Sequence, residues 1–251
     1  MILRRVIEHV RKQEWTAVLL DFLMVVAGIL MAFQITEWNE ERRERIRERT
    51  YLERIATELD RSITEIETAA NTSQGREELG RLLIDSVDDS ERVSADPGRF
   101  ILALVKGGYT FSPVIRAHTF EEIKSAGDLD IFRDQPLIFD LTEFYTEVQG
   151  VAQWNYFREV KQTEYMKRAA GIVTYEQVSS VLTSEDTPRI AVADALAAHA
   201  RMLARPAFIE WLPMVAERST ETTMYRTWLK TAQDLRARIR AILDDQTAAG
   251  P

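Results

Sequence analysis

The sequence predicts an all-α protein in which a single N-terminal transmembrane helix extends as a long stalk helix and is followed by an extramembrane helical bundle. Three observations predict this fold class. An apolar run of about 20 residues lies near the N-terminus. No Pro or Gly occurs between Trp38 and Gly75, and the rest of the chain shows helical periodicity without a convincing alternating strand. The expected divisions are a tail over residues 1 to 15, a transmembrane helix over 16 to 36, a stalk helix over 37 to 87 and a bundle over 88 to 251.

Composition excludes several classes of function. The chain has 251 residues, no cysteine and three histidines, so a disulfide framework, a thiolate nucleophile and a cysteine-ligated metal site are excluded. The net charge of −8 is unevenly placed, because residues 1 to 54 sum to +1 whereas residues 55 to 251, with 22 basic and 31 acidic side chains, sum to −9. Binding of nucleic acid needs clustered positive charge. We therefore expect no nucleic acid partner.

Residues 16 to 36 are predicted to cross a lipid bilayer. At about 1.5 Å per residue this run spans a hydrocarbon core about 30 Å thick. Trp15 and Trp38 stand at its two ends, where indole rings favour the interface between water and lipid, so both are predicted interface anchors. A buried core helix is less favoured, because residues 22 to 33 are apolar without interruption. A cleaved signal peptide is also disfavoured, because no small-residue cleavage site follows.

A small and polar face interrupts the apolar surface of this helix. Asp21, Gly28 and Ala32 recur at steps of seven and four residues and share one side of a helix. Small residues let helix backbones approach closely, and a carboxylate in a membrane segment usually faces protein or water. The face therefore indicates contact with another membrane helix. Snorkelling of Asp21 to the headgroups explains the carboxylate equally well.

The orientation of the span is inferred from the charge of its flanks. The N-terminal flank has four basic and two acidic residues, whereas residues 37 to 51 have five of each, so the count of Lys and Arg alone does not decide. Export of a short, positively charged tail is opposed, and the acidic bulk of the chain is readily exported. We expect a bacterial inner-membrane protein with a cytoplasmic N-terminus and a periplasmic C-terminal domain.

The stalk helix carries an apolar stripe. Residues at steps of three and four recur along it, namely Leu52, Ile55, Leu59, Ile63, Ile66 and Ala70. Such a stripe needs a partner helix. The favoured interpretation is bundle core, and the alternative is an intermolecular coiled coil.

Local signals divide the rest of the chain. Residues 85 to 98 are a predicted polar connection and residues 106 to 113 a predicted loop. Thr119 and Glu122 form a T-x-x-E capping box, with Gly127 as the helix stop. Asp134 and Pro136 open a long amphipathic run that offers for burial Phe139, Phe144, Val148, Trp154, Phe157 and Tyr165. Further helices are predicted around residues 188 to 204 and 206 to 246.

The apolar segment resembles the N-terminal signature of an uncharacterised family of bacterial single-pass membrane proteins, in which an acid precedes V-x-G-I-x-x-A-x-Q-x-x-x-W-N-E. The matching residues are Asp21, Val26, Gly28, Ile29, Ala32, Gln34, Trp38, Asn39 and Glu40. Residues 119 to 134 resemble the family's second segment, a helix, an S-x-G-x-L turn and a helix, usually followed by a tyrosine such as Tyr145. Asp21 stands where Glu is commoner. The resemblance implies a membrane location and brings no activity, substrate or catalytic residue.

The sequence lacks the common phosphate-binding and hydrolase motifs. There is no Gly-rich phosphate loop, no G-x-S-x-G and no H-E-x-x-H. The pairs Glu121/Glu122 and Asp128/Asp130 could in principle serve a hydrolase, but pairs arise by chance in a chain with 40 acids. We therefore expect no enzyme and no cofactor.

The favoured function is a membrane-anchored accessory or scaffold subunit of a larger complex. Its expected partners are other membrane protein subunits, or copies of itself, and the lipid bilayer. The alternative is an extracytoplasmic sensory or ligand-binding module with a pocket lined by aromatic residues such as Tyr109, Phe111, Tyr145, Trp154 and Tyr156. A tethered hydrolase ranks third.

Overall fold

The computed structural model describes residues 15 to 152, 155 to 184, 186 to 217 and 219 to 248. Within these ranges the chain is helical and contains no β-strand. The predicted all-α fold class is confirmed. The chain divides into two compact units, Met1–Tyr51 and Leu52–Pro251.

Helix α1 is the longest element and runs without a break from Trp15 to Asp85, so it contributes residues to both units. The sequence predicts this continuity, because the residues between Phe33 and Ala70 are good helix formers and include neither Pro nor Gly. The helix also continues through Gly75 and Gly80 and ends close to the predicted stalk end at residue 87.

The second unit contains the remaining helices. Their bounds are α2 Ser90–Ala95, α3 Pro97–Lys106, α4 His118–Ala126, α5 Gln135–Ala152, α6 Asn155–Ala169, α7 Tyr175–Thr183, α8 Val192–Leu203, α9 Pro206–Ile209, α10 Leu212–Ala216 and α11 Ser219–Ala248. A 3-10 turn, Asp128–Ile131, joins α4 to α5. Gly127 ends α4 with a φ of 75°, the left-handed conformation that glycine adopts without strain. The predicted stop is confirmed.

The C-terminal part of α1 packs against α11 in the opposite direction. Asp60 pairs with Arg236 and Arg240, whereas Gln74 accepts a hydrogen bond from Arg226. Residue numbers thus rise along α1 as they fall along α11. All six residues of the predicted stripe are buried, from Leu52 to Ala70. The interpretation as bundle core is confirmed, because the second unit itself covers the stripe.

The predicted polar connection over residues 85 to 98 is wrong in part. It contains helix α2, and α3 begins within it at Pro97. Two of the four aspartates in this segment, Asp89 and Asp96, are helix caps. Asp89 accepts a hydrogen bond from the amide of Glu91, and Asp96 accepts one from the amide of Arg99.

The predicted capping box is wrong as well. Helix α4 begins at His118 and has no side-chain cap of its own. Thr119 lies inside the helix and is buried, and its hydroxyl donates to Glu58 Oε1 of α1 at 2.8 Å. Glu122 instead pairs with Arg54. Thr119 is thus bonded to Glu58, which is distant in sequence, and not to the predicted local partner Glu122.

The large apolar residues predicted for burial after Pro136 divide between core and surface. Phe144, Val148 and Tyr165 are buried as predicted, but Phe139 and Phe157 are exposed. Within the described residues the predicted run is helical over α5, Gln135–Ala152, and over α6, Asn155–Ala169. Trp154 lies outside the described residues.

Candidate functional site

The apolar segment of α1 is exposed. From Leu19 to Ile35 the large apolar side chains, except the half-buried Val26, keep between half and two thirds of their surface, with Ile29 at 51% and Phe33 at 67%. From Phe22 onward, α1 is long and apolar enough to cross a membrane by length and composition. A core helix of a soluble domain buries such side chains, and this chain leaves them uncovered.

The small-residue face is open along the part that the structure describes. Gly28 is exposed, and a Cβ placed on it would meet nothing within 4 Å. Ala32 is exposed one turn further on, where its carbonyl accepts a hydrogen bond from the Thr36 hydroxyl at 2.9 Å. Asp21 is part of the helix, but its side chain lies outside the described set. The face thus offers a close approach to another helix at Gly28 and Ala32.

The motif residues after the apolar segment are exposed too. Trp38 keeps 60% of its surface, and Gln34, Asn39 and Glu40 are also exposed. The side chain of Trp15, at the other end, lies outside the described set. Of the two predicted interface anchors, Trp38 therefore has the accessible indole that contact with headgroups requires.

The described aromatic residues proposed for a ligand pocket differ in exposure. Tyr145 is buried and stacks on Phe120 with ring centroids 5.0 Å apart. Burial raises the pKa of Tyr145, and the charge of Glu58 raises it further. Tyr109 and Tyr156 are exposed, and Phe111 is half-buried. Trp154 lies outside the described residues.

Glu121 and Glu122, the first of the acidic pairs considered for hydrolysis, are engaged with other side chains. Glu121 accepts hydrogen bonds from Gln149 and Lys124, and these bonds lower its pKa. The hydrogen bonds from Arg54 lower the pKa of Glu122. A general acid needs a raised pKa, which neither carboxyl has. Among the described residues, no cluster of three or more His, Asp or Glu side chains could hold a metal ion.

A buried ionic network holds α1, α6 and α11 together. Arg76 of α1 is 3% exposed and lies 3.3 Å from Glu221 of α11. Arg158 of α6 lies 3.6 Å from the same carboxylate and 5.4 Å from the ring centroid of Tyr225. The carboxylate of Glu221 thus pairs with two guanidinium groups, those of Arg76 and Arg158.

Sequence reasoning missed this network, although a signal for it was present. Ser62, Ala69 and Arg76 recur at steps of seven residues on α1, and all three are buried. The repeat places them on one side of the helix, next to the apolar stripe. An arginine at a repeat position of an inner face indicates a buried ion pair.

Comparisons with protein-family models, curated proteins and solved structures gave no match. Function is therefore inferred from the residues themselves.

Proposed function

We propose that this chain is a membrane-anchored accessory or scaffold subunit of a larger membrane protein complex. The observation that carries the proposal is the exposed apolar segment of α1, with its open approach at Gly28. In a bilayer the large apolar side chains face lipid, and the small residues admit a second helix. The compact second unit would then contact partners outside the membrane.

Membership of the single-pass family and the orientation of the span belong to the same proposal. The signature residues from Asp21 to Glu40 support membership. The positively charged N-terminal tail supports a cytoplasmic N-terminus and a periplasmic C-terminal unit in the bacterial inner membrane.

Two substitutions that each replace a small residue by leucine test the proposed membrane contact. Gly28→Leu fills the open approach at the small-residue face, whereas Ala27→Leu adds a similar bulk about a quarter turn away. We expect Gly28→Leu to remove the chain from its native complex and Ala27→Leu to leave the complex intact. Native-gel migration and co-purification in mild detergent, at matched expression, measure the difference. Equal retention of both variants would contradict the proposed membrane contact.

A further inference from the structure

A polar cleft lies between α7 and α8 of the second unit. It has a volume of about 470 Å³, and residues of both helices and of the segment that joins them form its walls. This volume is within the range of binding sites for small molecules. The side chains of the cleft that carry charge are Glu176 of α7, Arg189 of the joining segment, and Asp194 and Arg201 of α8.

Close contacts hold the walls of the cleft in place. Gln177 of α7 is buried, and its side-chain amide donates a hydrogen bond to the backbone carbonyl of Asp194 at 3.2 Å, which ties α7 to α8. The joining segment packs on α3 at Gly98, where a Cβ would overlap the carbonyl oxygen of Pro188. Pro188 is itself buried. The backbone that carries Arg189 is therefore closely packed, and a preformed site loses less entropy when it binds a ligand.

Two arginines of the cleft have no carboxylate partner among the residues that the structure describes. Arg189 is exposed, and Arg201 is half-buried. The Nε of Arg201 donates a hydrogen bond to the carbonyl oxygen of Ile172 at 2.7 Å, which orients the guanidinium group. A guanidinium group has four further N–H donors on its terminal nitrogens. Both arginines are therefore available to an anionic group in the cleft.

One of the two carboxylates of the cleft is also available. The carboxylate of Glu176 accepts hydrogen bonds from its own backbone amide and from the hydroxyl of Thr174, and these bonds lower its pKa. The carboxylate of Asp194 has neither a hydrogen bond nor an ion pair within the described ranges. The cleft thus contains two arginines and one aspartate whose charges are not neutralised by the described part of the chain.

The spacing along α8 explains why Asp194 and Arg201 do not pair with each other. Seven residues separate them, so they lie on one side of the helix, nearly two turns and about 10 Å apart along its axis. Side chains pair on a helix surface when three or four residues separate them. Ala197 lies between the two, and its methyl group is small. Helix α8 therefore presents a negative and a positive group with space between them.

A ligand with one kind of charge does not match this cleft. An anion that approaches Arg201 also approaches the carboxylate of Asp194, and a cation at Asp194 approaches the arginines. Like charges brought together in a binding site weaken binding. A small molecule with both a carboxylate and an ammonium group pairs with both kinds of side chain and meets neither repulsion.

We propose that the cleft between α7 and α8 binds a free amino acid, whose carboxylate pairs with Arg189 and Arg201 and whose ammonium group pairs with Asp194. The site lies in the second unit, and the inference does not depend on the proposed membrane contact at Gly28. Failure of either proposal therefore leaves the other standing.

Isothermal titration calorimetry on the full-length protein in mild detergent tests the ligand class. Each common L-amino acid is titrated alone, followed by the deaminated and the decarboxylated analogue of the tightest binder. We expect a Kd of about 1 mM or lower for at least one amino acid, and binding at least about tenfold weaker for each analogue, because each lacks one charged contact. Absence of binding by every amino acid would overturn the proposal, as would equal binding by either analogue.

Substitutions with matched controls test the residues. Asp194→Asn and Arg189→Gln should each weaken binding of the amino acid about tenfold, because each removes one charged partner. Asp88→Asn and Arg61→Gln make the same changes at exposed positions outside the cleft, and we expect affinity within about twofold of the unmodified protein. Equal affinity of the cleft variants and their controls would overturn the assignment.

The deaminated analogue separates a lost ammonium contact from a disturbed cleft. Because this analogue has no ammonium group, Asp194→Asn should weaken its binding by less than about twofold while it weakens binding of the amino acid about tenfold. An equal loss for both ligands would contradict the pairing of Asp194 with the ammonium group.

Discussion

At the scale of single residues, Asp60 holds α1 to the C-terminal helix. Its Oδ1 lies 2.9 Å from Arg236 Nη1, and its Oδ2 lies 2.8 Å from Arg240 Nη2. Partial burial raises the pKa of Asp60, but the hydrogen bonds and charges of the two arginines outweigh this effect and lower the pKa. The carboxylate is therefore charged at neutral pH, and its charge stabilises the folded state.

We expect Asp60→Asn to destabilise the protein at pH 7 by about 0.5 to 1 kcal/mol, a small value because solvent screens a carboxylate that is 39% exposed. Because the pKa is lower in the folded state, this stabilisation is complete above the unfolded pKa of about 4 and is lost as pH falls through the folded value. Denaturant unfolding of both proteins, at pH 7 and at successively lower pH, measures the difference. A difference that persists unchanged in strong acid would contradict the ion pairing.

Two glycines of α1 form a natural pair for substitution. A Cβ on Gly80 would lie 2.7 Å from the Cα of Ala216, whereas a Cβ on Gly75 would meet nothing within 4 Å. Gly75→Ala should stabilise the fold by about 0.5 to 1 kcal/mol, because alanine restricts the unfolded chain. Gly80→Ala should destabilise it by about 1 to 3 kcal/mol, because α10 has to move away. Thermal unfolding of both variants decides, and equal shifts would contradict the close approach at Gly80.

At the scale of elements, the buried stripe of α1 carries the packing of the second unit. Leu59 is fully buried, and Thr57, two residues earlier, is exposed. We expect Leu59→Ala to destabilise the full-length protein by about 2 to 5 kcal/mol, because a cavity remains in the core. Thr57→Ala should change stability by less than about 0.5 kcal/mol. Unfolding followed by circular dichroism in detergent checks both, and a small effect of Leu59→Ala would show that the stripe is loosely packed.

Some features of the helices can be predicted from neighbouring residues in the sequence alone. The continuity of α1 follows from helix-forming residues between Phe33 and Ala70, and the end of α4 follows from the conformational freedom of Gly127. The start of α4 does not follow from local sequence. Thr119 has a suitable glutamate three residues later, but Glu58 of α1 accepts hydrogen bonds from both its amide and its hydroxyl.

At the scale of the whole molecule, the proposed orientation predicts which side of the membrane each end occupies. Tyr175 is 83% exposed, so Tyr175→Cys gives a single accessible thiol in a chain without cysteine. A membrane-impermeant maleimide should label it in intact spheroplasts. A cysteine placed at Ile2 should react only after the membrane is permeabilised. The reverse labelling pattern would contradict the proposed orientation but not the proposed single span.

Sequence by itself determined the all-α class, the continuity of α1 and the burial of the stripe from Leu52 to Ala70. These features depend on helix propensity and on periodicity, which are properties of neighbouring residues along one chain segment. Gly28 is exposed, and both its contact with another helix and the identity of the partner stay predictions.

Only the tertiary structure decided which side chains meet across the second unit. Phe139 and Phe157 are exposed although their spacing allows burial, and Arg76 is buried although arginine is usually exposed. Arg76 is paired with Glu221, which is 145 residues away in sequence. The physical reason is that burial and ion pairing depend on which helix faces come together, and the packing of all the helices selects those faces at once.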